Sequence, residues 1–314
     1  MSRCICDNIT HVRVHEIQKQ AHDETTVTEL APRLIGPLTL HPCCSLYSNL
    51  ATDAHAATSA SFGGMELWIP KVERYLAAGY GTEHLSEMLG RLQPTMLDVL
   101  SPIDTRDKSE WRDLVDRCDR IAQVAQQIGC PSIQVVVLDN MGGMSLRQQR
   151  CFVASRLKEL ADVTSSYGVV LAIEPVAFSP LRSLNDISEL IEDVGLDKLR
   201  MVLDTWHLWA GGESWERVAE VDSSLIVTAH IGDSAPKCGS SWSDVDRSVL
   251  PGDGILPLRE AISAIGSTGF TGPWAVEVIS AQYREWESVA LARELNQRAR
   301  YLLKEAGMEV GDAV

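Results

Sequence analysis

The sequence predicts a single (β/α)8 barrel with an N-terminal extension, and three observations favour this fold. Eight short apolar runs alternate along the chain with eight segments of helical character, which is the order expected of repeated βα units. The runs are apolar throughout, as are strands that are buried on both faces of a parallel sheet. The length of 314 residues suits one barrel of about 250 residues together with extensions.

The first half of the chain contains four of the predicted strands. Residues 1–32 are polar and weakly periodic, so we assign them to the extension and residues 33–314 to the barrel. Apolar residues recur at i, i+3 and i+4 in the longest helix of this half until Gly129 ends it, and Thr82 is expected to cap an earlier helix. The predicted elements, in order, are strand 38–42, helix 51–61, strand 65–68, helix 83–92, strand 95–100, helix 107–128, strand 133–138 and helix 145–167.

The second half continues the same alternation of strands and helices. Short apolar runs again predict strands, and the periodic segments between them predict helices. A long loop over 231–254 follows the seventh strand. The predicted elements, in order, are strand 169–174, helix 185–194, strand 201–204, helix 215–221, strand 225–230, helix 256–265, strand 274–278 and helix 285–305. Eightfold alternation favours a closed barrel over an open sheet.

Composition narrows the classes of partner. The formal net charge of −15 disfavours binding to nucleic acid or to an anionic membrane, because both carry negative charge. No apolar run reaches the ~18 residues of a transmembrane helix. Residues 1–19 lack the apolar core of a secretory signal, so we predict a cytoplasmic protein. The eight cysteines include no CxxC pair, which disfavours a structural zinc site. Cys43 and Cys44 end the first strand, where they either line its mouth or pack in the core.

Four consecutive predicted strands each end on a side chain that can bind a metal. In a parallel sheet all strand C-termini lie at one edge, so these four side chains are expected to converge. Each of them alone could be a capping carboxylate or a satisfied histidine, but four in succession favour a metal site. Three carboxylates and one imidazole suit Mn²⁺, Co²⁺ or Mg²⁺, and Zn²⁺ is compatible; Mn²⁺ is the ion we expect. The four residues are Glu174, Asp204, His230 and Glu277.

Other residues near these strand ends are candidates for substrate binding. His207 lies three residues beyond Asp204, and its alternative role is a hydrogen bond within its own loop. Arg247 lies in a loop rich in glycine and proline, and its alternative role is a surface ion pair. Asp233 is expected either to orient His230 or to bind substrate. The full set of substrate-binding candidates is His207, Arg247, Asp233, Trp206, His41 and Glu66.

These groups together suit proton transfer beside a ketone. A divalent cation can polarise a carbonyl group. Two carboxylates, Glu174 and Glu277, can then move a proton on and off the neighbouring carbon through an enediolate. Aldose–ketose isomerases and epimerases work in this way. No lysine ends a predicted strand, which disfavours an imine mechanism. The predicted partner is a small keto-sugar or ketocyclitol, and self-association into a homo-oligomer stays open.

Four motifs resemble those of the xylose isomerase-like TIM barrel family, also called the sugar phosphate isomerase/epimerase or AP endonuclease 2-like family. The resemblance covers residues 36–305 and is most specific over 169–280. The D-x-x-H and R-x-x-x-P-G-x-G motifs are most similar to those of inosose (2-keto-myo-inositol) isomerases. The motifs are Ile173-Glu174-Pro175, Leu203-Asp204-Thr205-Trp206-His207, His230-Ile231-Gly232-Asp233 and Arg247-Ser248-Val249-Leu250-Pro251-Gly252-Asp253-Gly254.

The resemblance implies roles for these residues. It makes Glu174, Asp204, His230 and Glu277 the metal ligands, with the two glutamates doubling as acid and base, and it implies that His207 and Arg247 contact substrate. Related barrels also dehydrate ketocyclitols or dehydroshikimate and cleave C-glycosides, so a lyase is the first alternative. A barrel that binds without turnover is the second. The endonuclease branch binds several metals through many histidines and is disfavoured here.

Overall fold

The computed structural model describes residues 32–311, which form a closed barrel of eight parallel strands surrounded by helices. The predicted (β/α)8 fold is therefore confirmed. The extension assigned to residues 1–32 lies outside the described residues except for Pro32. The strands are β1 Arg33–Ile35, β2 Leu38–Leu40, β3 Gly64–Trp68, β4 Gln93–Leu100, β5 Ser132–Val136, β6 Val170–Glu174, β7 Leu199–Asp204, β8 Ile226–Ile231, β9 Trp274–Val276 and β10 Met308–Val310.

Helices follow the barrel strands in chain order and cover the outside of the barrel. Two of the longest have well-defined N-caps: the Asp107 carboxylate accepts hydrogen bonds from the amides that begin α4, and Ser145 forms a capping box at the start of α5. The helices are α1 Leu50–Ser59, α2 Ile69–Ala77, α3 Thr82–Leu89, α4 Lys108–Ile128, α5 Leu146–Ser165, α6 Leu184–Val194, α7 Thr205–Gly211, α8 Trp215–Ala219, α9 Leu258–Ser267 and α10 Ser288–Glu305.

Strands β2 to β9 pair in chain order, and β9 pairs back to β2 to close the barrel. Strands β1 and β10 lie outside the barrel as a separate two-stranded parallel sheet, in which Leu34 is paired with Glu309. The sequence did not predict this pair, because three-residue strands carry too little periodicity to be distinguished from loop. The pair joins the two ends of the described chain.

Helix α2 was also missed by the sequence analysis, which left residues 69–81 unassigned. Pro70 lies in the first turn of this helix, where a missing N–H costs nothing, although proline elsewhere ends helices. The predicted cap at Thr82 is wrong. Gly81 is the N-cap residue of α3, and the Thr82 hydroxyl instead donates a hydrogen bond to Gln127 Oε1 over 2.9 Å.

The barrel interior explains why polar groups collect at one end. Side chains two residues apart on a strand share a face, so Ala172 lies below Glu174 and Val202 lies below Asp204. Met96, Ala172 and Val202 form a small buried apolar cluster of their own, separate from the main core between strands and helices. This apolar floor closes the barrel beneath the polar side chains. Within residues 32–311, no helix has the combination of length and apolar composition that a membrane span requires.

Candidate metal centre

Four strand ends bring the predicted metal ligands together. Glu174 and Asp204 are the last residues of β6 and β7, and His230 lies in β8 directly opposite Asp204. Glu277 follows the last residue of β9, one residue beyond a strand that was predicted to extend to 278. The four side chains offer ligand atoms that lie within 4.8 Å of one another, and all four residues are buried. The convergence expected from the sequence is thus present in the structure.

The donor set fits a divalent cation. His230 Nδ1 lies 3.1 Å from Glu277 Oε2 and 3.7 Å from Glu174 Oε1. Glu174 Oε1 is buried and has no hydrogen-bond partner among the described residues. A buried carboxylate oxygen without a partner is costly unless a cation compensates it. Three carboxylates and one imidazole nitrogen are ligands for Mn²⁺, Co²⁺ and Zn²⁺.

The two glutamates differ in their charge state. Burial and the neighbouring Glu277 carboxylate raise the pKa of Glu174 to about 8. Burial opposes ionisation of Glu277 as well, but the Arg247 guanidinium and the His41 and His230 imidazoles hold its pKa well below the ordinary value. At neutral pH, when no cation is bound, Glu174 therefore carries a proton and Glu277 does not. Such a pair is suited to act as acid and base.

Arg247 and His207 lie against this pair of glutamates rather than at the surface. Arg247 Nη2 lies 2.8 Å from Glu277 Oε1, with which it forms an ion pair, and it donates a hydrogen bond to Asp204 Oδ2 over 3.2 Å. Arg247 Nη1 lies 3.1 Å from His207 Nε2, and His207 Nδ1 accepts a hydrogen bond from the Ala177 amide. Burial and the nearby Arg247 guanidinium lower the pKa of His207 well below its ordinary value, so the imidazole is neutral.

Trp206 and Asp233 hold other parts of the site in place. The Trp206 ring is fully buried, donates its Nε1–H to Ser234 and packs 5.1 Å beneath the Arg247 guanidinium. Asp233 does not orient His230. Its carboxylate accepts hydrogen bonds from four backbone amides, which fasten the loop that follows Arg247. Both residues thus make contacts that support the site, and their role in substrate binding stays a prediction. The four donors are the amides of Ser234, Gly252, Gly254 and Leu256.

Glu66 lies on the far side of His230 from the candidate metal centre, and His41 lies between Glu66 and Glu277, with its Nε2 3.8 Å from Glu277 Oε2. Glu66 Oε2 is 3.3 Å from His230 Nε2, and His41 Nε2 is 3.5 Å from both Glu66 Oε2 and Asp98 Oδ2. Cys43 offers its sulfur within 4.8 Å of ligand atoms of His41 and Glu277, so one of the two vicinal thiols lies at the mouth.

Two polar side chains at the site were missed by the sequence analysis. Asp98 lies in β4 and is 3% exposed, and Gln134 in β5 donates from Nε2 to Glu174 Oε2 over 3.2 Å. Each sits inside an apolar run rather than at its end. One sequence pattern could have identified Asp98: it is two residues beyond Met96, and this spacing places it on the same face of the strand as that buried residue.

A model of one protein family matches most of the chain. The match covers residues 54–304 and is described as "Xylose isomerase-like TIM barrel". The chain belongs to this family. The resemblance proposed from the motifs is thereby confirmed, and the family's barrel agrees with the observed architecture.

Similar proteins of this family act on small sugars and cyclitols. An inosose isomerase of Bacillus velezensis is 24% identical over 269 residues, which cover 82% of this chain and 95% of the relative. An L-ribulose-5-phosphate 3-epimerase of Salmonella paratyphi A is 21% identical over 202 residues, covering 61% of this chain and 69% of the relative. A crystal structure of the protein IolI with a bound zinc atom superposes with a TM-score of 0.80 at 21% identity, covering 86% of this chain and 98% of IolI.

Proposed function

We propose that this protein is a divalent-metal-dependent isomerase or epimerase of a keto-sugar or ketocyclitol. One observation carries the proposal: four consecutive strands bring Glu174, Asp204, His230 and Glu277 into one buried site, with ligand atoms within 4.8 Å of one another, so that two carboxylates share the site with an imidazole and a third carboxylate. An acid and a base on one substrate are what proton transfer beside a ketone needs. The isomerase and epimerase named among the similar proteins support the same class of reaction.

The cation would be held by Glu174, Asp204, His230 and Glu277. When bound, it would polarise the substrate carbonyl and stabilise the negative charge of the enediolate. We expect Mn²⁺, and the zinc atom in IolI makes Zn²⁺ the principal alternative.

The two glutamates would move the proton. Glu277, held ionised by Arg247, takes a proton from the carbon next to the ketone, and the electron pair of that C–H bond moves into the enediolate. Glu174 would act as the acid: after taking up a proton from water, it returns a proton to the same carbon for epimerisation, or to the neighbouring carbon for isomerisation, in which case the hydroxyl proton also passes from one oxygen to the other. Exchange with water then restores the starting charges. The neutral His207 and the cationic Arg247 would contact substrate oxygens close to the reacting carbon.

The mouth of the site would also contribute to substrate recognition. Phe178 is 42% exposed and lies edge-on to His207, with 5.6 Å between the ring centroids. An exposed aromatic ring beside a polar site suits the C–H face of a sugar or cyclitol. Because the acidic site is buried, substrate binding would exclude water from the reacting carbon.

Proton NMR in D₂O tests this proposal with a panel of inososes and pentuloses and their phosphates. The expected result is deuterium incorporation next to the ketone, with conservation of mass, in protein loaded with Mn²⁺ or Zn²⁺. Protein treated with EDTA is the control and should exchange far more slowly. Loss of water or of an aglycone would instead identify a lyase. The absence of exchange with every member of the panel would favour a barrel that binds without turnover.

A further inference from the structure

The two nitrogens of His230 face different surroundings. Nδ1 points to the candidate metal centre, 3.1 Å from Glu277 Oε2 and 3.7 Å from Glu174 Oε1. Nε2 points the other way, into the barrel, and lies 3.3 Å from Glu66 Oε2. A neutral imidazole that binds a metal through one nitrogen keeps its proton on the other. Whatever accepts the Nε2 proton therefore decides whether Nδ1 is free to bind a cation.

Glu66 is placed to accept that proton. It lies in β3 with its side chain fully buried, and both its Oε2 and the facing His230 Nε2 make no hydrogen bond among the described residues, although only 3.3 Å separates them. Its second oxygen lies 3.4 Å from the Thr228 hydroxyl, and Thr228 is on the same face of β8 as His230. One carboxylate thus faces two side chains of one strand.

His41 occupies the remaining side of Glu66 and cannot replace it. His41 Nδ1 accepts a hydrogen bond from the Cys43 amide, so the proton of the neutral ring is on Nε2. His41 Nε2 lies 3.5 Å from both Glu66 Oε2 and Asp98 Oδ2 and 3.8 Å from Glu277 Oε2. In this tautomer His41 Nε2 carries a proton and is a donor rather than a metal ligand. Glu66 is left as the carboxylate between two imidazole donors.

Arg247 and Lys71, two cationic side chains of the described residues, form their ion pairs with carboxylates other than Glu66. Arg247 forms its ion pairs with Asp204, Asp244 and Glu277, and Lys71 forms its ion pair with Asp53. The groups nearest to the Glu66 carboxylate are therefore the imidazole nitrogens of His41 and His230 and the Thr228 hydroxyl. An anionic acceptor behind a histidine ligand fixes the orientation of the ring and raises the basicity of the ligating nitrogen.

We propose that Glu66 is a positioning residue, which holds the proton of His230 on Nε2 so that Nδ1 faces the candidate metal centre. The proposal rests on the metal centre described under the proposed function and adds to it a residue that is outside the ligand set. Removal of such a partner typically lowers metal affinity by about 10- to 100-fold.

Calorimetric titration with Zn²⁺ tests the contribution of Glu66 to affinity. Glu66→Met removes the acceptor and should weaken binding by about 10- to 100-fold. Glu66→Gln keeps a carbonyl oxygen that can accept from Nε2–H, and it should recover part of that loss. Thr95→Val is the matched control, because it also removes a buried polar group from the barrel wall but has no contact with His230. Circular dichroism confirms that each variant is folded. Wild-type affinity in a folded Glu66→Met variant would overturn the proposal.

Nitrogen-15 NMR of the histidine rings provides a second readout that needs no metal. In metal-free wild-type protein, at a pH high enough to leave the ring neutral, the His230 proton should be on Nε2. A proton on Nδ1 would overturn the role of Glu66 even if Zn²⁺ binds tightly. Failure of the wild-type protein to bind Zn²⁺, Mn²⁺ or Co²⁺ would instead refute the metal centre and the proposed function. In that case the position of the His230 proton would still show whether Glu66 accepts it.

Discussion

At the scale of single residues, Glu277 is a carboxylate that contacts both a candidate metal ligand and a cationic side chain. Its two carboxylate oxygens face His230 and Arg247, and it is 5% exposed. Glu277→Gln keeps the size of the side chain but removes the charge that both contacts need. We expect turnover to fall by about 10²- to 10⁴-fold, as for loss of a general base, while the fold persists. Steady-state kinetics on the exchanging ketone measures the effect.

The matched control for this substitution is Glu285→Gln. Glu285 is an exposed glutamate eight positions later in the chain, and its replacement should leave the rate unchanged. Retention of wild-type turnover by Glu277→Gln would remove Glu277 from the mechanism.

A second prediction at this scale concerns the buried ion pair of Lys71 and Asp53. Lys71 Nζ lies 2.6 Å from Asp53 Oδ2 and also donates to the Ser45 carbonyl, and both charged side chains are at most 1% exposed. Lys71→Met leaves the Asp53 carboxylate without its cation in the interior. We expect the free energy of unfolding to fall by about 3–5 kcal/mol, measured by urea denaturation.

Arg117→Met provides the comparison for a pair at the surface. Arg117 pairs with Glu73, and their side chains are 24% and 36% exposed. Solvent screens this pair, so its loss should cost less than about 1 kcal/mol. Equal effects of the two substitutions would contradict the conclusion that burial makes the Lys71–Asp53 ion pair more important for stability than the pair at the surface.

Single residues also show what sequence reasoning can and cannot find. The four candidate ligands were predicted because each ends an apolar run, a pattern that is visible in the chain itself. Asp98 and Gln134 were not found, because each lies within a strand and its role depends on which face turns inward. The hydrogen bonds of Asp233 were not predicted for a related reason: its partners are backbone amides up to 23 residues away.

At the scale of elements, the loop after β8 depends on the close approach of Gly254 to Asp233. A Cβ atom added at Gly254 would lie 2.2 Å from Asp233 Oδ1 and 2.5 Å from the Ser234 carbonyl. Gly254→Ala must therefore displace the carboxylate that anchors the loop. We expect a loss of about 1–3 kcal/mol in unfolding free energy, as for other overpacked sites. Hydrogen exchange at the Gly252 and Leu256 amides should become faster.

Gly142→Ala is the control for this substitution, because an added Cβ there meets nothing within 4 Å. It should change the unfolding free energy by less than about 0.5 kcal/mol. Unchanged amide exchange in Gly254→Ala would show that the loop is held by contacts other than Asp233.

The sequence predicted helices well where the apolar pattern extended over several helical turns. Helix α4 was located almost to the residue, since its apolar stripe runs over 21 residues and Gly129 ends it in a left-handed conformation. Helix α2 was not predicted because Pro70 was taken as a residue that ends a helix. The β1–β10 pair was not predicted because its two short strands lie far apart in the sequence.

At the scale of the whole molecule, the candidate centre links four consecutive strands of a closed barrel, from Glu174 to Glu277. These ligands come together only when β6 to β9 are folded, so a cation that binds them stabilises the native state. Free Zn²⁺ at 100 times its dissociation constant should add about 2.7 kcal/mol. At about 1.5 °C per kcal/mol for a chain of this length, the melting temperature should rise by about 4 °C, as measured by calorimetry with and without EDTA. Glu174→Gln should show a much smaller rise, whereas Cys238→Ser, which replaces an exposed cysteine thiol, should behave as wild type. An equal rise in Glu174→Gln would show that Zn²⁺ stabilises the barrel from some other place.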